Sequence, residues 1–396
     1  MSEWKECTIA DLGEVVGGAT PSTKKPENYK NGDISWITPK DLSTFNGRFI
    51  LHGERNITET GLNSCSTRLL PTNTVLFSSR APIGYVAIAA KEMCTNQGFK
   101  SIIPNSDTDY MFLYYLLKFN RNNIENMGSG TTFKEVSGNT MKSIKVCVPI
   151  DIEEQRKIGA VLSAIDDKIE LNTAINENLE QQAQAIFKAW LVDFEPFGGV
   201  MPDDWKISNL LEIADYLNGL AMQKYRPKEC EVGLPVLKIK ELRQGFCDDN
   251  SELCSPSIKS DFIIKNGDVI FSWSGSLLVD FWCGGKCGLN QHLFKVTSNT
   301  FDRWFYYVWT KYHLNRFIAI AADMATTMGH IKRAELEKSM VFIPNNNDYK
   351  EIGNLLKPIY DTIINNRVEN YRLAALRDTL LPKLMSGEID VSQVQI

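Results

Sequence analysis

One amphipathic helix pattern occurs twice in this chain, and this repeat constrains the fold more than any other feature. From residue 152 to about residue 193, apolar positions recur in alternating steps of four and three, the 3.5-residue period of a coiled-coil seam. The same period returns after a shift of 194 positions, as from residue 172 to residue 366. The sequence therefore predicts two related long helices.

The predicted seam contains two polar positions that recur in both helices. In the first helix the seam residues are Ile158, Leu162, Ile165, Ile169, Asn172, Asn176, Leu179, Ala183, Ile186 and Trp190. In the second they are Ile352, Leu356, Ile359, Ile363, Asn366, Asn370, Leu373, Arg377, Leu380 and Leu384. Either helix alone is compatible with ordinary bundle packing. However, a paired seam asparagine fixes the register of a coiled coil while weakening it, so two helices with matching asparagines are most simply partners.

The short connection after the first helix favours an antiparallel pair. Residues 194–204 reach at most about 40 Å when extended, whereas a helix of about 38 residues is about 57 Å long. A parallel pair would require the intervening domain to return the chain along the whole helix. We therefore expect an antiparallel two-helix coiled coil with a globular domain at the N-terminal end of each helix.

The segments that precede the two helices also repeat, although more loosely. Each contains a lysine- and proline-bearing loop followed by a short strand, predicted at Ile34–Ile37 and Val236–Ile239. Each then contains a hairpin that begins with an apolar strand, Val75–Phe77 or Val269–Phe271. An aromatic-rich helix and a final short strand follow in both. The prediction is an α/β (α+β) domain used twice, as an internal pseudo-twofold repeat of about 195 residues.

Composition and length are those of a globular protein with several domains. The chain has 396 residues, of which 43% are hydrophobic and 23% charged. No apolar run approaches about 18 residues and no signal region opens the sequence, so we expect a cytoplasmic protein without a membrane span. The nine scattered cysteines favour reduced thiols. The net charge of −5 argues mildly against a nucleic-acid binder, but acidic residues concentrate in the predicted helices.

The sequence contains no convincing catalytic or cofactor motif. It lacks an N-P-P-[FY] or glycine-rich cofactor loop, a G-x-x-x-x-G-K-[ST] motif and an H-E-x-x-H motif. Cys283, Cys287 and His292 lie close together but lack a fourth ligand, so no metal site is predicted. The chain is therefore predicted to be non-catalytic by itself, with no cofactor of its own.

The segment GTTFKEVSGNTMKSIKVCVPIDIEEQRKI, residues 130–158, resembles the junction between a target-recognition domain and a spacer helix in type I restriction-modification specificity (S) subunits. Glu154, Gln155 and Ile158 match that family's E-Q-x-x-I helix start, and Asp151 with Glu154 fits a capping pair. The segments NGDISWITPKDLS, NGDVIFSWSG and LRDTLLPKLMSGEID also look like this family, so the resemblance covers essentially the whole chain. The second junction departs from it, with Tyr349–Lys350 where the first has Glu154–Gln155.

The resemblance implies a domain organisation and a set of partners. Target-recognition domains would occupy residues 1–150 and 198–345, with spacer helices at 151–197 and, including a C-terminal tail, 346–396. Each domain would read one half of an asymmetric, split target in double-stranded DNA. The spacer would set the distance between the halves and carry two methyltransferase subunits, which would bind S-adenosylmethionine. Restriction–translocase subunits, which use ATP, would join for cleavage.

Loop residues of both domains are candidates for DNA contacts, because lysine and arginine hold phosphates while arginine, asparagine and glutamine read base edges. In the first domain the candidates are Ser79, Arg80, Asn96 and Gln97 for bases and Lys24, Lys25, Lys40 and Lys134 for phosphates. In the second they are Gln223, Lys224, Tyr225, Arg226, Lys240, Trp273, Ser274, Gln291, His330 and Lys332. Each position has an ordinary structural alternative, such as a turn at Asn96–Gln97–Gly98 or packing of Trp273.

A second function class stays open at this point, namely a coiled-coil scaffold that assembles proteins without binding DNA. The acidic net charge favours it slightly, whereas the matched lysine-bearing loops argue against it. A single-chain enzyme is a third interpretation, but it requires a cofactor or metal loop that the sequence does not contain.

Overall fold

The computed structural model describes residues 3–130, 134–323 and 331–395. It divides into two compact units, defined here as unit 1 (residues 1–170 and 374–396) and unit 2 (residues 171–373). Each unit combines one globular segment with parts of both long helices. In the described residues, no helix is both long enough and apolar enough to cross a membrane.

Among its described residues, unit 1 has ten strands and six short α-helices, and it shares a long helix, α7, with unit 2. The strands are β1 (Trp4–Thr8), β2 (Gly13–Gly17), β3 (Ile34–Ile37), β4 (Phe49–Ile50), β5 (Arg55–Ile57), β6 (Val75–Ser79), β7 (Ile83–Ala89), β8 (Cys94–Thr95), β9 (Lys100–Pro104) and β10 (Lys145–Pro149) in the described residues. The helices are α1 (Ile9–Leu12), α2 (Pro39–Ser43), α3 (Glu59–Asn63), α4 (Tyr110–Phe119), α5 (Arg121–Asn126), α6 (Gly138–Ser143) and α7 (Ile152–Phe187).

Unit 2 follows a similar order of elements, although its described residues have no α-helix equivalent to α3 before the central strand. Its described strands are β11 (Lys206–Asn209), β12 (Asp215–Asn218), β13 (Leu234–Leu237), β14 (Leu253–Cys254), β15 (Ile263–Ile264), β16 (Val269–Ser272), β17 (Leu278–Phe281), β18 (Cys287–Leu289), β19 (Leu293–Thr297) and β20 (Met340–Ile343). The helices are α8 (Leu210–Ile213), α9 (Ile239–Gln244), α10 (Arg303–Tyr312), α11 (Leu314–Asp323), α12 (Arg333–Glu337) and α13 (Asn346–Met385), and α13 also contributes to unit 1.

The sheets of the two units share most of their topology, although β4 extends only the main sheet of unit 1 and β15 only the second sheet of unit 2. The main sheet has the order β2-β9-β6-β7-β4 in unit 1 and β12-β19-β16-β17 in unit 2. A second sheet has the order β5-β3-β8 in unit 1 and β14-β13-β18-β15 in unit 2, and the first strand of each unit pairs with its last, as β1 with β10 and β11 with β20. The structure thus confirms the mixed helix–strand fold and the internal repeat.

The central strand of each main sheet is buried on both faces, which explains its continuous apolar sequence. Val75 and Phe77 of β6 pack in a core with the aromatic helix α4, while Leu76 belongs to a second cluster on the opposite face. In β16, Val269 and Phe271 likewise face one cluster and Ile270 another. The predicted hairpins and the strand Ile34–Ile37 are confirmed.

The predicted strand Val236–Ile239 is wrong at its C-terminal end. The strand stops at Leu237, and α9 begins at Ile239. The Glu241 carboxylate accepts a hydrogen bond from the Lys238 backbone N–H at 3.2 Å. This contact caps the helix, so the extended conformation ends at Lys238 and the helix begins at Ile239.

Near its N-terminus, each long helix forms a hydrogen bond with the N-cap residue of the aromatic-rich helix of its own unit, α4 or α10. In unit 1, the Gln155 side-chain oxygen accepts a hydrogen bond from the Asp109 backbone N–H, the N-cap of α4, at 3.0 Å. In unit 2, the Tyr349 hydroxyl accepts one from the backbone N–H of Asp302, the N-cap of α10, at 2.9 Å. Tyr349 therefore stands in the place of Gln155, as the 194-position shift of the seam predicts, and not in the place of Glu154 as the comparison of the two junctions suggested.

Within unit 2 the two long helices run antiparallel, and the seam asparagines meet. Asn172 Nδ2 donates to Asn370 Oδ1 at 2.9 Å and to Glu369 at 2.7 Å. Asn366 Nδ2 donates to Asn176 Oδ1 at 2.9 Å. All twenty residues of the predicted seam are buried or half-buried. The asparagine pairs fix the register, since only one alignment of the helices satisfies both.

We expect the Asn172–Asn370 pair to show a non-additive mutational cycle. Asn172→Leu alone should lower the free energy of unfolding by about 1–2 kcal/mol, because Asn370 and Glu369 lose a buried donor. The double variant with Asn370→Leu should recover that loss or exceed it, because leucine packs well in a seam. Urea titration of the four proteins measures the cycle. A double variant less stable than either single one would contradict the buried-pair interpretation.

A buried histidine, His313, gives unit 2 a predictable pH dependence. Its Nε2 donates to the Met340 carbonyl at 2.8 Å, and burial lowers the pKa of the imidazole below its ordinary value. The folded pKa is thus below the unfolded pKa of about 6.5, so stability is complete above that pH and falls as pH decreases through the folded pKa. His313→Gln should flatten the loss of stability between about pH 7 and pH 5.5. An unchanged slope in urea titrations would contradict this assignment.

Candidate nucleic-acid interface

In unit 1, three segments meet where the central strand β6 ends. The Ser79 backbone N–H donates to the Gly98 carbonyl at 2.7 Å, and the Val136 N–H donates to the Ser79 carbonyl at 2.9 Å. Arg80 forms an isolated antiparallel bridge with Glu135. The structure therefore brings together residues 79–80, 96–98 and 135–136, which are far apart in sequence. We call this region the unit 1 strand-end face.

A carboxylate lies between two cations on the unit 1 strand-end face. Glu135 is 3.6 Å from Arg80 Nη1 and 3.4 Å from Lys100 Nζ. Lys100 Nζ also lies 3.5 Å from Ser79 Oγ and is mostly buried, whereas about a third of the Arg80 side chain is exposed. Glu135 therefore restrains a guanidinium that still reaches solvent, an arrangement suited to presenting it to a base edge.

The neighbouring turn combines a structural asparagine with an exposed glutamine. Asn96 Oδ1 accepts the Gly98 backbone N–H at 2.8 Å, so its side chain shapes the turn. Gln97 is exposed and accepts a hydrogen bond from the Thr20 hydroxyl. Gly18 allows this approach, since an added Cβ there would lie 2.2 Å from the Asn96 carbonyl oxygen. The hydrogen bond between Thr20 and Gln97 thus connects this turn to the lysine-bearing loop that follows Thr20.

The remaining candidates of unit 1 are exposed lysines and one buried serine. Lys24, Lys25 and Lys134 are exposed, and Lys40 is exposed with a 2.7 Å ion pair to Glu54. Ser79, in contrast, is completely buried, and its hydroxyl donates to the Gly98 carbonyl at 3.2 Å. The prediction that Ser79 contacts a base is therefore wrong, because its side chain has no surface to offer.

Unit 2 builds the equivalent face at the end of β16 with different side chains. The Ile331 backbone N–H donates to the Trp273 carbonyl at 3.0 Å, and the Trp273 indole N–H donates to Asn218 Oδ1 at 3.1 Å. An added Cβ on Gly219 would lie 2.2 Å from the Asn290 carbonyl oxygen, the same close approach that Gly18 makes in unit 1. We call this region the unit 2 strand-end face.

His292 is the centre of the unit 2 strand-end face. Its Nδ1 is 3.1 Å from Ser274 Oγ and its Nε2 is 3.3 Å from the Gln291 amide nitrogen. Because an amide nitrogen only donates, Nε2 accepts there and Nδ1–H donates to Ser274. The Trp273 ring lies beside it, with a centroid distance of 6.4 Å. The face therefore offers the Trp273 ring and the His292 imidazole where unit 1 offers Arg80 and Lys100, and each face also carries a glutamine, Gln291 or Gln97.

The unit 2 candidates differ in how much of their surface is exposed. Ser274 is almost completely buried behind His292, so the prediction that it contacts DNA is wrong for this conformation. His330 lies outside the described residues. Trp273 and Gln291 are half-buried, and the other candidates are exposed: Gln223, Lys224, Tyr225, Arg226, Lys240 and Lys332. Two of these are ion-paired, Arg226 with Glu252 and Lys240 with Asp248, both at 3.0 Å.

Sequence reasoning missed Lys100 and Glu135 in unit 1 and Asn218 and His292 in unit 2. The first pair is separated by 35 residues and has no local signal. His292 did have a local sequence signal, because it is the third residue of the triplet Asn290–Gln291–His292 that matches Asn96–Gln97–Gly98. No group of three or more metal-ligating side chains occurs in the part of the chain that the structure describes.

Comparison with known proteins identifies the family of the domain that is repeated in units 1 and 2. The profile of the family described as "Type I restriction modification DNA specificity domain" matches residues 1–181 and 202–372. The MjaIX specificity subunit of Methanocaldococcus jannaschii is 35% identical, over 99% of this chain and 95% of its own. The EcoKI specificity subunit of Escherichia coli is 24% identical, over 98% of this chain and 89% of its own.

The fold also matches a solved structure. The crystal structure of the type I restriction-modification S subunit from M. genitalium gives a TM-score of 0.61 at 16% identity, and the match covers 97% of this chain and 96% of that one. This chain belongs to the family of type I restriction-modification specificity subunits. Membership implies that it recognises a DNA target.

Proposed function

We propose that this chain recognises an asymmetric, two-part DNA sequence, with the unit 1 strand-end face reading one half and the unit 2 strand-end face the other. The observation that carries this proposal is that the two faces share the same backbone arrangement but present different side chains. Gly18 and Gly219 make the same close approach, yet one face presents Arg80 and the other presents Trp273 and His292. Two faces of different chemistry favour two different half-sites.

Affinity and specificity would come from different residues of each face. Exposed lysines such as Lys24, Lys25 and Lys134 would contact phosphates, which supply salt-dependent affinity without sequence information. Arg80 and Gln97 would contact bases, because a guanidinium pairs bidentately with guanine and an amide with adenine. The negative net charge does not oppose this, since α7 alone carries seven acidic and three basic residues, a net charge of −4 against −5 for the whole chain.

We further propose that the chain is non-catalytic and acts within a complex. Methyltransferase subunits, two per chain, would bind S-adenosylmethionine and modify the target, and restriction–translocase subunits would use ATP. The family to which the chain belongs supports these partners.

Selection from a random duplex-DNA pool tests the proposal directly. The purified chain, alone and with a methyltransferase subunit of its own complex, is used to enrich sequences at physiological salt. The expected result is a split motif whose halves differ and whose gap is constant. Salt-sensitive binding without a motif, or no binding even with the partner, would contradict DNA reading and favour the scaffold function.

Domain exchange adds a matched control to this selection. Replacing residues 1–150 with the corresponding domain of another specificity subunit should change one half of the motif and leave the other half intact. Replacing residues 198–345 should do the converse. If either exchange changed both halves, the two faces would not read independently.

A further inference from the structure

Two cysteines of unit 2 are brought together by segments that are 40 positions apart. Cys247 follows α9, and Cys287 begins β18. The two segments run close together at Gly284, where an added Cβ would lie 3.0 Å from the Gly245 carbonyl oxygen. Cys287 is completely buried in an apolar cluster, and Cys247 is half-buried and packs against the same cluster.

A surface cavity of about 440 Å³ opens beside this pair. Cys247, Asp248, Gly284, Gly285 and Lys286 contribute to its lining. Cys247 is thus accessible to a small solute, whereas Cys287 is protected behind it. This is the order of access expected for an attacking thiol and a resolving thiol.

The acid–base properties of the two thiols agree with that order. Interaction with the Cys287 thiol lowers the pKa of Cys247, and burial raises the pKa of Cys287 well above its ordinary value. Since the thiolate is the nucleophile, Cys247 reacts first and Cys287 stays protonated until then.

We propose that Cys247 and Cys287 are a modification site that hydrogen peroxide oxidises to an intramolecular disulfide. The Cys247 thiolate attacks one peroxide oxygen, the O–O bond breaks, and the other oxygen leaves as water after taking a proton. Cys247 becomes a sulfenic acid. The Cys287 sulfur then attacks the Cys247 sulfur, the S–S bond forms, and the sulfenic oxygen leaves as a second water. Two thiols lose two electrons and two protons, and the peroxide is reduced.

The disulfide would join the end of α9 to β18. That strand pairs with β13 and β15 and runs directly into Asn290–Gln291–His292 of the unit 2 strand-end face. Closing the loop between the two cysteines restricts the unfolded chain, so oxidation should raise the melting temperature of unit 2. The inference does not depend on the proposed DNA target.

The test is treatment of the purified full-length chain with hydrogen peroxide, followed by alkylation of free thiols and peptide mapping. We expect a Cys247–Cys287 cross-linked peptide that has lost two hydrogens, and a rise in melting temperature that dithiothreitol reverses. Cys287→Ser should leave Cys247 as a sulfenic acid captured by dimedone, and Cys247→Ser should leave Cys287 as a free thiol.

Cys254 supplies a matched control, because it is also buried and an added Cβ on Gly288 would meet its sulfur. Cys254→Ser should keep the cross-link. The proposal is overturned if peroxide oxidises the exposed Cys147 or Cys230 while Cys247 and Cys287 stay reduced. It is equally overturned if Cys287 pairs with Cys254.

Discussion

Replacing Arg48 with methionine is expected to lower the free energy of unfolding of unit 1 by about 2–4 kcal/mol. The Arg48 side chain is only 4% exposed, and its Nε donates to Glu170 of α7 at 3.0 Å. Its Nη2 pairs with Asp167, and its Nη1 donates to the Ser163 carbonyl at 3.4 Å. Methionine fills the space but leaves these acceptors without their donor. Both carboxylates are partly exposed and regain water, which keeps the expected loss below that of a fully buried pair.

Unit 2 provides a control for this substitution at the equivalent helix position. Asp361 lies 194 positions after Asp167. Its Oδ1 also forms an ion pair with an arginine of its own unit, at 2.9 Å from Arg303 Nη2. That pair is solvent-exposed on both sides, so Arg303→Met should cost at most about 1 kcal/mol. Urea titration with hydrogen exchange at residues 155–170 separates the two effects. Equal losses for the two variants would show that burial of Arg48 is not the cause.

Replacing Arg80 with alanine is expected to weaken binding to the selected DNA by about 1–3 kcal/mol, a loss of about 5- to 150-fold. The loss should be confined to one or two base pairs of one half-site, where the preference for guanine disappears. Glu135→Gln should relax the same preference less strongly, because the guanidinium loses a restraint at 3.6 Å but is still present.

Lys24→Ala is the contrasting control for Arg80. Lys24 is exposed on the loop after Thr20, and we expect its replacement to weaken binding to all sequences alike, as the loss of a phosphate contact does. The slope of log affinity against log salt should also fall by about one. If Arg80→Ala behaved like Lys24→Ala, with uniform weakening and no change in motif, Arg80 would be a phosphate contact and the base-reading assignment would be wrong.

The repeat and the helix pairing were predictable because their signal is distributed along the chain. Asn172 pairs with Asn370, as the period of the seam indicates. Local patterns were less reliable where a side chain competes with the backbone, as at Lys238, where the Glu241 cap replaces a strand by a helix. Ser79 was misassigned because β6 is buried on both faces, and a serine after an apolar run gives no sign of that.

The composition of the candidate site depends on contacts that only the fold creates. Glu135 approaches Lys100 and Arg80 because it forms a bridge with Arg80 just after the end of β6, a pairing that no sequence period encodes. Tyr349 performs the hydrogen bonding of Gln155 with a different functional group. The sequence therefore predicted the helices and sheets well, whereas the side chains that surround each candidate DNA-contacting residue required three-dimensional information.

The core of unit 1 contains residues from both ends of the chain, which has a consequence for synthesis on the ribosome. Leu384, Met385 and Val391 are buried with Ile158 and Leu162 in one apolar cluster. At about 5–20 residues per second, the roughly 200 residues of unit 2 take about 10–40 s to translate. During that interval the apolar surface that later receives Leu384 and Met385 stays open. All residues of unit 2 are thus synthesised before the core of unit 1 can be completed.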